Sequence, residues 1–109
     1  MKINLIISTD EFGIVDVDEC YPELVSFIQN LHSSGFRFVI GDEISSGDYG
    51  YDLIFKVEHV MITPNSESPQ IPEIIYSILP IDWDDWITGK SKHIGLRNLN
   101  NYLEANRGN

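Results

Sequence analysis

Cysteine is nearly absent from this chain: Cys20 is the only one in 109 residues. An internal disulfide is therefore impossible, and a zinc site built on cysteines is excluded. The three histidines, His32, His59 and His93, stand far apart, with no HExxH or other paired spacing that would set two imidazoles on one helix face. No apolar run approaches the roughly 20 residues that span a bilayer. The opening segment, one Lys and a short apolar run broken by Asn4, lacks the length and the small-residue cleavage site of a signal peptide. A soluble protein of the reducing cytoplasm is expected. The glycines sit among acids, which repel phosphate, and neither GxSxG nor another nucleophile signature occurs. An enzyme is not expected, and no cofactor is implied.

Basic residues are scarce as well. Seven Lys and Arg oppose seventeen Asp and Glu, a formal net charge of −10. A surface of that sign repels nucleic acid and anionic membrane, and it speeds encounter with a cationic protein. The imbalance is uneven along the chain. Residues 1–85 carry every acid but Glu104, against only Lys2, Arg37 and Lys56; the last stretch holds Lys90, Lys92, Arg97 and Arg107. Hydrophobic residues make up 42% of the whole, an ordinary globular share, and the length fits one domain spanning residues 1–109.

The periodicities predict an α+β domain, an antiparallel sheet of about four strands with helices packed on one face. Ile3, Leu5 and Ile7 alternate in an opening strand, and residues 12–17 form its hairpin partner. Pro22 suits a first helical turn, Leu24, Phe27, Ile28 and Leu31 make one apolar face, and Gly35 closes the helix. Phe36, Phe38 and Ile40 read as a third strand. Residues 51–63 read as the longest, with Tyr51, Leu53, Phe55, Val57, His59 and Met61 on its buried face. On that face His59 is expected as a satisfied core imidazole. Residues 64–72 form a polar loop, 72–79 a short helix stopped by Pro80, and Ile94, Leu96, Leu99, Tyr102 and Leu103 the face of a last helix.

The acids crowd three stretches, and two of these also hold conspicuous aromatics. In residues 42–52, Asp42, Glu43, Asp48 and Asp52 lie beside Tyr49 and Tyr51 on a glycine-broken loop. In residues 82–86, Asp82, Asp84 and Asp85 alternate with Trp83 and Trp86. Tyr and Trp bring large contact area at low rotamer entropy, and desolvated acids opposite Arg or Lys couple by about 1.5–7 kcal/mol. These eleven residues are the candidate partner-binding set. The plain alternatives are a solvated hairpin connection for the first segment, and for the second a helix N-cap at Asp82 with one or both Trp rings packed inside. The third acidic stretch, Asp16-Val17-Asp18-Glu19, has oxygen ligands for calcium or magnesium but lacks the EF-hand loop. With Asp16 and Asp18 on one strand face, it reads as a solvated pattern, and no metal site is expected.

A small, acidic chain with Asp/Tyr/Trp segments resembles the bacterial immunity proteins that neutralise nuclease toxins, including those of contact-dependent growth inhibition systems. The resemblance is one of type and rests on no diagnostic motif. It implies one-to-one binding to the basic active-site cleft of a cognate toxin domain, with carboxylates in place of substrate phosphates. A standard interface of about 1,600 Å² uses roughly 20–30 residues a side, so the two segments would form its centre. The alternatives are an acidic DNA-mimic regulator, marked by acids spaced around the surface without an aromatic hot spot, and an adaptor subunit docking through residues 71–81.

Overall fold

The computed structural model describes residues 2–45, 53–65, 67–68 and 70–106. They form an α+β fold of five strands and three helices. In chain order these are β1 (Lys2–Thr9), β2 (Gly13–Asp16), α1 (Pro22–Ser33), β3 (Glu43–Ser45), β4 (Ile54–Pro64), β5 (Pro72–Pro80), α2 (Trp83–Ile87) and α3 (Ile94–Ala105). The sheet order is β2-β1-β5-β4-β3. Every neighbouring pair is antiparallel except β1 and β5, which run parallel in the middle.

The expected helix at residues 72–79 is a strand, and it is the central one. Pro72 stands at its first position, opposite Pro64, where no N–H need enter the interior of the ladder. Ile74, Tyr76 and Ile78 turn to the core while Glu73, Ile75 and Ser77 turn away, a period of two that β-branched residues fit well. The third strand is also displaced: residues 36–39 are irregular, and β3 begins only at Glu43. Between them Val39 to Asp42 makes a tight turn, in which the Asp42 N–H donates to the Val39 carbonyl at 3.1 Å. Gly41 takes φ +97 there, the left-handed conformation that the third residue of a type II turn needs.

One face of the sheet builds the core. Ile3, Leu5 and Ile7 of β1, Val15 of β2, Ile44 of β3, Phe55 and Val57 of β4, and Ile74, Tyr76 and Ile78 of β5 all lie on it. Leu24 and Ile28 of α1 and Leu96, Leu99 and Leu103 of α3 join the same apolar cluster. α1 starts with Pro22 at its first turn and ends where the Gly35 N–H donates to the His32 carbonyl at 2.9 Å. α3 is capped by His93, whose Nδ1 accepts the Gly95 N–H at 3.0 Å. The opposite face of the sheet is more open, with Lys2, Ser8, Ile14, Lys56, His59 and Met61 exposed.

His59 is therefore not the core imidazole that strict alternation predicts. The register between β4 and β5 slips between Val57 and His59, so Glu58 is an extra residue in the strand. A bulge of this kind exchanges the faces of everything beyond it. Phe55 and Val57 point inward, but after the bulge Val60 and Ile62 share the inner face with Tyr76 and Ile74, and His59 and Met61 turn out.

Candidate functional site

Of the first acidic segment, Asp42 and Glu43 are described, while Asp48, Tyr49, Tyr51 and Asp52 lie outside the described residues. Asp42 is committed to its turn. Its Oδ2 accepts the Val39 N–H at 2.9 Å, and its carbonyl accepts the Val57 N–H at 2.8 Å. The carboxylate closes the turn, and the main-chain carbonyl fastens the chain entering β3 to β4. Glu43 is exposed and stands opposite Lys56 across the β3–β4 ladder.

The second segment forms the start of α2. Trp83 is 3% exposed and belongs to the core, with its ring edge-on to Phe12 at 6.3 Å. As a presented partner anchor this residue is corrected: a large ring next to the β1–β2 turn gains more from burial under α2 than it would at the surface. Trp86 is half-buried and packs against the same core. Asp82 occupies the N-cap position without a side-chain capping bond, and Asp82, Asp84 and Asp85 are all exposed. Asp84 and Asp85 sit in the first helical turn, where a negative charge is favoured by the N-terminal amides.

The fold brings these two segments together. Glu43 and Asp84, forty-one positions apart in the chain, line one half-open cleft of about 340 Å³ with Lys56, Glu58, Leu79, Pro80, Ile81 and Trp83. It has an apolar floor and a charged rim with three carboxylates and one ammonium. The main-chain bond from Ile81 N–H to the Ile54 carbonyl, 3.0 Å, holds the entry to α2 against β4 and so fixes Asp84 near Lys56. Sequence reasoning missed Lys56 and Glu58 as site residues; it named Trp83 as a partner contact, and Leu79, Pro80 and Ile81 only within the 71–81 docking segment of the adaptor alternative. Lys56 and Glu58 were visible as polar positions of a strand, but only β5 as a strand carries Leu79 and Pro80 beside them.

A second acidic cleft, about 310 Å³, is lined by Asp16, Asp18, Glu19, Tyr102 and Asn106. Here the expected solvated strand face gives way to a structural role. Asp18 follows β2, is half-buried, and accepts the Leu5 N–H on Oδ1 at 2.6 Å, beside the Val17 N–H to Leu5 carbonyl bond of 2.9 Å. The Asp18 N–H donates in turn to Asp16 Oδ1 at 2.9 Å, and Asn4 Nδ2 donates to Asp16 Oδ2 at 3.2 Å. Burial pushes the Asp18 carboxyl up to about 6, and the Asp16 charge adds to this; the Leu5 N–H and Lys2 pull the other way. The Tyr102 hydroxyl donates to the Asp16 carbonyl at 3.1 Å, tying α3 to β2. Among the described residues no group of three His, Cys, Asp or Glu is placed to hold a metal ion.

The histidine most engaged with the interior is His32 of α1. Its Nε2 and the Tyr76 hydroxyl are 2.7 Å apart, and the same hydroxyl accepts the Phe38 N–H at 3.3 Å. Burial, with the Arg37 charge, holds the imidazole below its ordinary range. Burial raises the half-buried Cys20 thiol, the opposite of what activates a nucleophile. No helix among the described residues is long and apolar enough to cross a membrane. Comparison of the chain with protein-family models, curated proteins and solved structures finds no match to any of them.

Proposed function

We propose that this chain is an immunity-type inhibitor that binds a basic toxin domain, a nuclease, one-to-one and covers its active site. The observation that supports this reading is the meeting of Glu43 and Asp84 in one cleft, with Glu58 beside them and an apolar floor beneath. An Arg or Lys side chain entering there would lay its stem on Leu79, Pro80 and Ile81 and its charge on the rim, while Lys56 restricts how the cation is oriented. Asp82 and Asp85, exposed on the same short helix turn, extend the negative field. Trp83 lines the cleft, and Trp86, three residues further along α2, is the more exposed of the two rings.

The test is kinetic. The purified chain is titrated against the nuclease domain of a toxin encoded beside its gene, with RNA and DNA cleavage as readout and association rates followed across a salt series. Inhibition at one-to-one stoichiometry is expected. The double variant Glu43→Gln, Asp84→Asn should slow association by about tenfold at low salt and converge on the parent at high salt. An unchanged association rate would place the contact elsewhere.

A second reading, a DNA-mimic regulator, is favoured by a different observation. Asp10, Glu11, Asp16, Glu19, Glu23 and Glu67 are all exposed and lie outside the cleft. If that spread is what the partner reads, neutralising the cleft would leave binding to a DNA-binding protein intact, whereas pairs drawn from the outlying acids would each weaken it.

A further inference from the structure

β4 is paired along its length on one side and along less than half of it on the other. On the inner side β5 runs beside it from Phe55 to Pro64. On the outer side β3 covers residues 54–56, and Val57 is held by the preceding turn, through Asp42 and Gly41. From Glu58 to Pro64 no strand lies on that side among the described residues. Such an edge presents a row of main-chain donors and acceptors to any strand that meets it, and natural sheets blunt it with charge, proline or a covering segment. Here Glu58 and Pro64 guard only the two ends. Between them Met61 is 44% and Ile62 73% exposed.

We infer that this edge pairs, antiparallel, with the same edge of a second copy of the chain, joining two sheets across a two-fold axis. The boundaries of the free run dictate the register. At one end Gly41 and Asp42 already occupy the place beside Val57. At the other the chain leaves the strand after Pro64 and turns, so that the Asn65 N–H reaches the Ile71 carbonyl at 3.0 Å. A second copy that fills the run without striking either end sets Glu58 opposite Pro64, His59 opposite Thr63, Val60 opposite Ile62 and Met61 opposite itself. The faces agree in that register, since Val60 and Ile62 share the core face and His59, Met61 and Thr63 the other. Apolar side chains meet apolar ones, and Glu58 meets an uncharged proline and not its own copy.

Charge selects the occupant. A cationic strand would be drawn to Glu43 and Asp84 around the cleft, whereas this run holds one acid in a chain of net −10, so two copies meet along it with little repulsion. Pairing seven residues a side covers on the order of 1,000 Å² in total, at the lower limit for a specific interface, so a weak and concentration-dependent dimer is expected.

Sedimentation velocity of the full chain over a wide concentration range tests this, together with cross-linking. The parent should pass from monomer to dimer as concentration rises, and Met61→Lys, which sets two ammonium groups face to face at the axis, should raise the dissociation constant at least tenfold. Opposed residues in an antiparallel pair have Cα atoms about 4.5–5.5 Å apart, within disulfide range. In a Cys20→Ser background, Met61→Cys should therefore form a covalent dimer on mild oxidation, while Ile62→Cys alone should not. A monomer at every concentration overturns the proposal, as does a dimer that survives Met61→Lys. Should Ile62→Cys cross-link and Met61→Cys fail, the register is wrong and the proposal falls with it.

Discussion

Replacing Asp18 by Asn should make this protein more stable at neutral pH, although it removes a carboxylate that accepts a 2.6 Å main-chain hydrogen bond. The reason is that the carboxyl is raised from its ordinary 3.8 to about 6, with burial the largest cause. Two units of pKa correspond to about 3 kcal/mol at about 1.4 kcal/mol per unit. Asp18 is only half-buried, so solvent screening reduces this to about 1–2 kcal/mol. An amide oxygen still accepts the Leu5 N–H and has no charge to desolvate. The sign of the pH dependence follows from linkage. A group whose folded pKa lies above its unfolded value stabilises fully below pH 3.8, and that contribution is lost as pH rises through about 6.

His32 acts in the opposite direction. Its folded pKa is held below the ordinary 6.5, so its contribution is present above pH 6.5 and is lost as pH falls below that value. In the parent the two slopes partly cancel between pH 4 and 7. Urea unfolding at pH 4, 5, 6, 7 and 8 separates them. Asp18→Asn should exceed the parent by about 1–2 kcal/mol at pH 8, match it near pH 4, and lose stability more steeply on acidification because only the His32 effect remains. If the variant is no more stable than the parent at pH 8, or keeps the parent's slope, the burial of Asp18 is not what sets its pKa.

Three further outcomes are expected. Trp83→Ala should cost about 3–5 kcal/mol in chemical unfolding, because the ring is core, whereas Asp84→Asn and Asp85→Asn should each stay within about 0.5 kcal/mol. Gly41→Ala should lower stability by about 1 kcal/mol, read as a fall in thermal midpoint, because a Cβ there meets no neighbour but φ +97 is itself strained. Tyr76→Phe removes a hydroxyl that serves both His32 Nε2 and the Phe38 N–H and should cost about 1–3 kcal/mol. Hydrogen exchange at the Phe38 amide should rise in that variant.

The sequence made local order legible wherever one periodicity ran without interruption. β1, the β1–β2 hairpin, α1 with its Pro22 start, and the apolar face of α3 all follow from spacing that permits a single reading. Residues 72–79 failed for a physical reason: a leading proline suits both a helix start and a strand start, and Ile-Ile-Tyr-Ser-Ile-Leu is apolar enough to hide its alternation. Burial on both sides decided it, since β5 is covered by β1 and β4 and no neighbour in the sequence announces that. The same gap hid the parallel pairing. A β1–β5 contact closes across some seventy residues, and local patterns say nothing of such closure. At the candidate site, charge pointed to Asp42, Glu43, Asp82, Asp84 and Asp85 and left open which Trp packs inside, but nothing local announced the turn that engages Asp42.

Much of what distinguishes this surface comes from one inserted residue. Without the bulge at Glu58, the alternation of Phe55 and Val57 would carry His59 and Met61 into the core and leave Val60 and Ile62 outside. With it, Val60 meets Tyr76 on the inner face, and Met61 faces solvent beside Ile75. Lys56, on the near side of the bulge, and Glu58 within it both reach the cleft that Glu43 and Asp84 share. β3 ends its pairing at the same place, so among the described residues no strand covers the edge beyond Val57. The cleft proposed for a cation and the low-charge edge proposed for a second copy are thus neighbours on one strand and meet at Glu58, the residue that breaks its pattern. On the two proposals above, a cationic partner would be drawn to the carboxylates of the cleft and a second copy to the low-charge run beyond them.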